Sequence, residues 1–219
     1  MNQPITIDYY SDVLCIWAWI AQRRMDELHT QYGEQIAIRH HFVDIFGDSV
    51  GKINQAWTTK GGFAGFADHV QHACAPFDQA CIHPDLWRTV QPSSSANAHL
   101  VLKAVQLSDG EAACARLALS IRQAFFQQAR DISHLSVLKE LAGELGLEKS
   151  ALTSSLEDGR AIAALTSDYR AARDLGIRGS PSFVLNQGRQ TLYGNVSYRI
   201  LQANVDELLR HPQTECSWC

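Results

Sequence analysis

Thiols carry most of the chemistry this chain can offer: its 219 residues include six cysteines, Cys15, Cys74, Cys81, Cys114, Cys216 and Cys219. That is too sparse for a disulfide scaffold, so function rests on individual sulfurs. Cys15 stands in Leu14-Cys15-Ile16-Trp17-Ala18, between a β-rich run and a helical one. Spacing alone leaves two readings open for it, a small side chain packed in the core or a nucleophile at a helix start. Cys114 sits in the alanine-rich run from Glu111 to Arg116, where a buried, inert thiol is the plain expectation. Cys216-Ser217-Trp218-Cys219 has the spacing of a redox pair or half a zinc site, but no second close pair accompanies it, and two incidental tail thiols remain an equal reading. His69, His72, Cys74, Cys81 and His83 could be drawn as a metal cluster. Pro76 and Pro84 break that segment and no carboxylate shell supports it, so no metal is expected.

The elements that must position Cys15 follow from hydrophobic periodicity. Residues 5–10 are β-rich and Ser11-Asp12 read as turn or cap, so a first strand ends near Asp12. Trp17, Ala21, Met25 and Leu28 then share a helical face, with Gly33 as the stop signal. Residues 36–43 are extended again, completing a βαβ unit with parallel pairing. From 50 to 157 the pattern is helical, broken at Gly61-Gly62 and at 91–95. Within it Ala98, Val101, Leu102 and Val105 form one face, and Leu135, Leu138, Leu141 and Leu145 another, closed by Gly146. Ile162, Leu165, Tyr169 and Ala172 mark the next helix. Residues 182–185 and 190–193, around Asn186-Gln187-Gly188, read as a β-hairpin, and a last helix buries Leu201, Val205 and Leu208.

Composition bounds the function. A 46% apolar chain of this length can fill one core with an inserted subdomain. A formal net charge of −4, without a Lys/Arg run, argues against a nucleic-acid partner. No stretch reaches the roughly 18 apolar residues of a spanning helix, and Met1-Asn2-Gln3-Pro4 has no signal-peptide character, so neither a membrane nor an export route is expected and the reading is cytoplasmic.

The order βαβ, helical block, helix, hairpin, helix, together with Ser11-Asp12-Val13-Leu14-Cys15-Ile16-Trp17-Ala18-Trp19, resembles the DsbA family, in particular its FrnE-like branch. The segments 125–133 (FFQQARDIS), 171–183 (AARDLGIRGSPSF) and 194–201 (GNVSYRIL) extend the likeness to about residue 210, and it is weakest over 50–90. The resemblance implies an α/β, thioredoxin-like fold, with 1–49 and 158–211 as the thioredoxin-like part, 50–157 as a helical insertion and 212–219 as a tail. It implies that Cys15 is the nucleophile, its thiolate favoured by the helix N-terminus. Gly179-Ser180-Pro181 is similar to the loop that carries a cis-proline beside the active cysteine, so Ser180 and Pro181 would shape a substrate edge and Trp17 an apolar wall.

The chain departs from that family where Ala18 replaces the second cysteine of Cys-x-x-Cys. Without a resolving thiol, a mixed disulfide on Cys15 must await another sulfur. Monothiol exchange with glutathione or a protein thiol is the first reading, with no tightly bound cofactor and glutathione as co-substrate. Glutathione-dependent isomerases and transferases of the 2-hydroxychromene-2-carboxylate isomerase and kappa types are the second, and a non-catalytic binding module the third. Cys216 and Cys219 are candidate resolving thiols, within one chain or across a homodimer.

Overall fold

The computed structural model describes residues 3–147 and 149–212. Its frame is a four-stranded sheet in the order β2-β1-β3-β4, formed by β1 (Ile5–Ser11), β2 (Ile36–Phe42), β3 (Ser182–Leu185) and β4 (Gln190–Tyr193). β1 and β2 are parallel from Ile5↔Ile36 to Ser11↔Phe42, whereas β3 runs antiparallel to β1, with Tyr10 opposite Ser182. The helix α1 (Ile16–Tyr32) joins β1 to β2 and stops at Gly33, whose φ of 50° favours glycine. Beyond β2 come α2 (Ser49–Trp57), α3 (Gly62–Cys74), α4 (Ala96–Asp109), α5 (Glu111–Phe126), α6 (Leu135–Glu144) and α7 (Lys149–Glu157). α8 (Arg160–Asp174) leads back to the β3–β4 hairpin, and α9 (Tyr198–Arg210) closes the fold. The hairpin turn holds Asn186, Gln187 and Gly188 at positive φ, as its turn-prone composition predicts. No helix among the described residues is long and apolar enough to cross a membrane.

Strand alternation sorts the core. Ile5, Ile7, Tyr9, Ile36, Phe183 and Leu185 face Met25 and Leu28 of α1 and Leu201, Val205 and Leu208 of α9. On the other face Tyr10, Val43 and Val184 meet Ala172 and Ile177. A larger core fills the helical block and runs into the start of α1, taking in Val13, Leu14, Cys15, Trp19, Val101, Leu117 and Phe125. Cys15 therefore lies on the seam between sheet and helical block. Phe66 and Trp87, from the stretch of weakest family likeness, pack their rings with those of Phe46 and Phe125 on either side of it. Gly65 is needed there, because a Cβ would stand 1.7 Å from the Lys60 carbonyl oxygen.

Two predicted helix faces are rotated from expectation. Leu135, at the first turn of α6, is 40% exposed, while Leu138 and Leu141 are buried. On α8, Ile162 is 52% exposed, and the buried stripe is Ala161, Leu165, Asp168 and Ala172. A carboxylate can occupy that stripe because it is paired: Asp168 Oδ2 accepts from Lys103 Nζ at 2.9 Å and from the Phe42 amide at 3.0 Å, and Oδ1 lies 2.9 Å from His41 Nδ1. Periodicity counts apolar residues and so misses a buried ion pair.

Candidate active site

Cys15 is the N-cap of α1, with extended backbone angles of φ −78° and ψ 119°, so its side chain stands beside the unpaired amides of the first turn. The Ser180–Pro181 bond is cis, an isomer that sequence left open, and the Ser180 carbonyl oxygen accepts the Cys15 thiol at 3.1 Å. The Ser180 hydroxyl does two jobs. It accepts the Asp12 amide at 2.9 Å, and it acts on the Cys15 thiol in the direction that favours thiolate.

Those contacts change the expected character of the thiol. The helix-terminus argument predicts a depressed pKa, whereas the Cys15 thiol is held above its ordinary value. Burial is the largest cause, since the residue is 6% exposed, and the Asp12 carboxylate adds to it. The Ser180 hydroxyl and the amides of Ala18 and Trp17 pull the other way without overcoming burial. Cys15 thus rests as a thiol whose three hydrogen-bond donors await a thiolate.

Asp12, fully buried, organises the loop before Cys15. Its Oδ1 accepts from the Leu14 amide at 2.9 Å, and its Oδ2 from the amides of Ile45 and Phe46 at 3.1 and 2.8 Å and from Ser95 Oγ at 2.9 Å. His99, also fully buried, accepts the Val13 amide on Nε2 at 3.3 Å and stacks on Phe42. Burial keeps its imidazole neutral against the pull of Asp12. The proton then belongs on Nδ1, which has no partner among the described residues. Arg122 donates to Ser11 Oγ at 2.9 Å and to Gln22 at 3.3 Å, pinning α5 to the end of β1. Sequence reasoning passed over Asp12 as a turn residue and missed Ser95, His99 and Arg122. The available signal was Ser95 just before the helical run, with His99 four residues on, beside the apolar face of Ala98, Val101 and Leu102.

The structure brings Cys15, Ser180 and Pro181 together. Trp17 is half-buried against the larger core, and Ala18 is fully buried one turn along α1. Cys114 is buried, and burial raises its thiol strongly. No group of three or more His, Cys, Asp or Glu side chains among the described residues could hold a metal. Cys216 and Cys219 lie outside the described residues. The described chain leaves far from Cys15, because the Pro212 carbonyl accepts from Asn186 Nδ2 at 3.1 Å and Asn186 follows the end of β3 opposite Ser182.

A cavity of about 300 Å³ opens beside the cis-proline loop, lined by Val43, Asp44, Ile45, Tyr169, Ala172, Arg173, Ile177 and Arg178. Ile177 and Arg178 run directly into Gly179-Ser180, and the Ile45 amide is one of those held by Asp12. The Tyr169 phenol is raised by burial and then by the carboxylates of Asp44 and Asp12, which places the cavity next to the Asp12 network.

Comparison with known proteins agrees with this architecture. The ClpXP adapter protein SpxH of Shouchella clausii is 25% identical over 199 residues, covering 84% of this chain and 58% of the relative. The chain thus spans less than two thirds of the curated relatives it matches. Among solved structures, the cytosolic disulfide reductase DsbM of Pseudomonas aeruginosa superposes with a TM-score of 0.71 at 23% identity, covering 94% of this chain and 98% of DsbM. DsbM with glutathione superposes at 0.69 and 22% identity, over 94% of this chain and 99% of DsbM. A 2-hydroxychromene-2-carboxylate isomerase gives 0.66 at 18% identity, over 97% of this chain and 100% of the isomerase. At these identities the solved structures speak to the fold. The family model for the DSBA-like thioredoxin domain matches residues 6–206, nearly the whole described chain, and the protein belongs to that family.

Proposed function

We propose that this protein is a monothiol thiol–disulfide exchange enzyme in which Cys15 is the nucleophile and glutathione the exchanging thiol. The observation that carries the reading is the 3.1 Å contact of Cys15 Sγ with the Ser180 carbonyl at a cis-proline loop. When Cys15 loses its proton, the Ser180 hydroxyl and the Trp17 and Ala18 amides remain to hold the thiolate. Attack on a disulfide links Cys15 to one sulfur of the substrate and expels the other as a thiolate, which takes a proton. The Ser180 carbonyl, relieved of the thiol, is then free to accept a backbone N–H from the bound substrate. With Ala18 in the resolving position, an external thiol must complete the cycle.

Glutathione fits this role by charge. It carries one ammonium and two carboxylates at neutral pH, and the adjoining cavity offers one carboxylate, Asp44, and two guanidinium groups, Arg173 and Arg178. The likeness to DsbM, solved with glutathione, supports the same co-substrate and a reducing cytosolic setting. The test is intact-mass analysis and turnover with glutathione disulfide. Adduct on Cys15, turnover abolished by Cys15→Ser and a raised KM for glutathione in Arg173→Ala/Arg178→Ala are expected. A glutathione-dependent isomerase would instead show no turnover of glutathione disulfide, and its isomerisation would survive Cys15→Ser.

The likeness to SpxH and the raised, buried thiol favour a second reading, a thioredoxin-like module that binds a protein partner without catalysis. A folded-state Cys15 unreactive towards both glutathione disulfide and alkylating agents would establish it over the first.

A further inference from the structure

Outside the candidate active site, two thiols of the helical block converge. α3 ends at Cys74, and the chain doubles back through the Cys74–Phe77 and Phe77–Ala80 turns, in which the Phe77 amide donates to the Cys74 carbonyl at 2.8 Å and the Ala80 amide to the Phe77 carbonyl at 2.9 Å. The fold-back lets Cys74 Sγ donate to the Ala80 carbonyl at 3.0 Å. That oxygen belongs to the peptide whose nitrogen is Cys81, and covalent geometry puts the Cys81 Cα about 6 Å or less from the Cys74 sulfur. Cys81 Sγ points back into the same turn, donating to the Asp78 carbonyl at 3.0 Å. Closing a bridge takes a rotation of the Cys81 side chain about its Cα–Cβ bond towards Cys74, with the turn 75–80 setting the two Cα atoms at the roughly 4.4–6.8 Å a disulfide spans. Cys81 is exposed and Cys74 buried, the asymmetry of an attacking and a closing thiol.

We propose that Cys74 and Cys81 form a second redox site, a dithiol that small disulfides such as glutathione disulfide convert to an internal disulfide. The Cys81 thiolate attacks one sulfur of the small disulfide, and the expelled thiolate takes a proton. Cys74 then gives up its proton and attacks the Cys81 sulfur, releasing the second small thiol. Two protein thiols are oxidised and one small disulfide is reduced to two thiols, so electrons and protons balance. The bridge would close the turn 75–80, which lies against α1: Phe77 packs under the Arg24 guanidinium, 5.8 Å from the ring centroid. Oxidation thereby staples the segment that packs on the helix carrying Cys15, and it does not require Cys15 to be reactive.

The test is to titrate the full chain, and its Cys15→Ser variant, with glutathione disulfide, block free thiols with N-ethylmaleimide and map unreduced peptides. The expected product in both is a peptide spanning 74–81, unlabelled at either cysteine and about 2 Da lighter than its dithiol form. Cys74→Ser should stop at a stable glutathione adduct on Cys81, and Cys81→Ser should leave Cys74 without adduct while folded. A wild-type chain that stops at the Cys81 adduct, or in which Cys74 labels as readily as Cys81, would overturn the proposal. Loss of Cys15 reactivity leaves these readouts unmoved, so failure here and failure of the exchange reading are separately visible.

Discussion

Replacing Ser180 by alanine should slow Cys15 and loosen the fold at once, for two separable reasons. The hydroxyl is one of three donors that favour the Cys15 thiolate. A hydrogen bond to a charged group contributes about 1.5–3 kcal/mol. Taking the lower figure, because sulfur is a weak acceptor, and about 1.4 kcal/mol per pKa unit, the thiol should rise by roughly one unit. The thiolate fraction below the pKa then falls about tenfold, and the alkylation rate with it. The same substitution leaves the Asp12 amide, now 2.9 Å from the hydroxyl, buried without an acceptor, which costs about 1–3 kcal/mol of stability. The assay is the rate of Cys15 alkylation by iodoacetamide from pH 6 to 11, read by mass, alongside urea unfolding. Ser180→Thr, which keeps a hydroxyl, should restore most of the rate. An alanine variant that loses stability yet alkylates at the wild-type rate across the range would refute the role given to the hydroxyl. A wild-type Cys15 titrating at or below the free-cysteine value of about 8.5 would refute the dominance of burial.

Asp12→Asn removes the negative charge that helps hold Cys15 up, so the thiol pKa should fall while stability drops by about 3 kcal/mol or more; a pKa that rises would contradict the electrostatics. The His41 imidazole loses basicity to burial, but hydrogen bonds to Asp168 and then Asp8 outweigh it and raise its pKa to about 9 from 6.5. The stabilisation of its cation is complete below pH 6.5 and lost as pH rises towards 9, an upper bound of about 3 kcal/mol that urea unfolding should resolve and His41→Gln should flatten. Ala18→Cys places a thiol one helical turn from Cys15 at a fully buried position; internal disulfide formation and a gain of insulin reduction over wild type are expected, and absence of both would show a site unable to resolve internally. Truncation after Pro212 should abolish any wild-type insulin reduction if Cys216 or Cys219 supplies the resolving thiol; unchanged turnover would remove both from the mechanism.

Much of the fold could be read from the chain because its elements obey simple periods. Ile5, Ile7 and Tyr9 alternate onto one sheet face, Met25 and Leu28 share a helical stripe with Ala21, and Gly33 and Asn186-Gln187-Gly188 supply the positive φ angles where the chain turns. Leu135 and Ile162 were misplaced because an apolar residue on the rim of a helical stripe satisfies the period without being buried. The neighbourhood of Cys15 and Ser180 was legible through family resemblance, since no local pattern links residues 165 positions apart.

The chemistry of the site was less legible because polar groups carry it, and their partners come from distant segments. Asp12 is a turn residue to any local rule. Its value arises from the 43–46 loop and from Ser95, which deliver amides and a hydroxyl to one carboxylate. The same assembly reverses the expectation for Cys15. A helix N-terminus exposed to water lowers a thiol pKa through its amides and dipole, and the Trp17 and Ala18 amides still act in that direction here. Packing the helical block over the start of α1 removes the water that would solvate the thiolate and brings the Asp12 charge close behind it. Desolvation and a like charge together exceed what the Ser180 hydroxyl and the two amides return, so the resting sulfur keeps its proton and donates it in a hydrogen bond to the Ser180 carbonyl. A substrate that occupies this loop must take that carbonyl from the thiol. Its backbone N–H would replace the S–H donor at the moment the sulfur is released to react, which couples recognition at Ser180 to activation of Cys15.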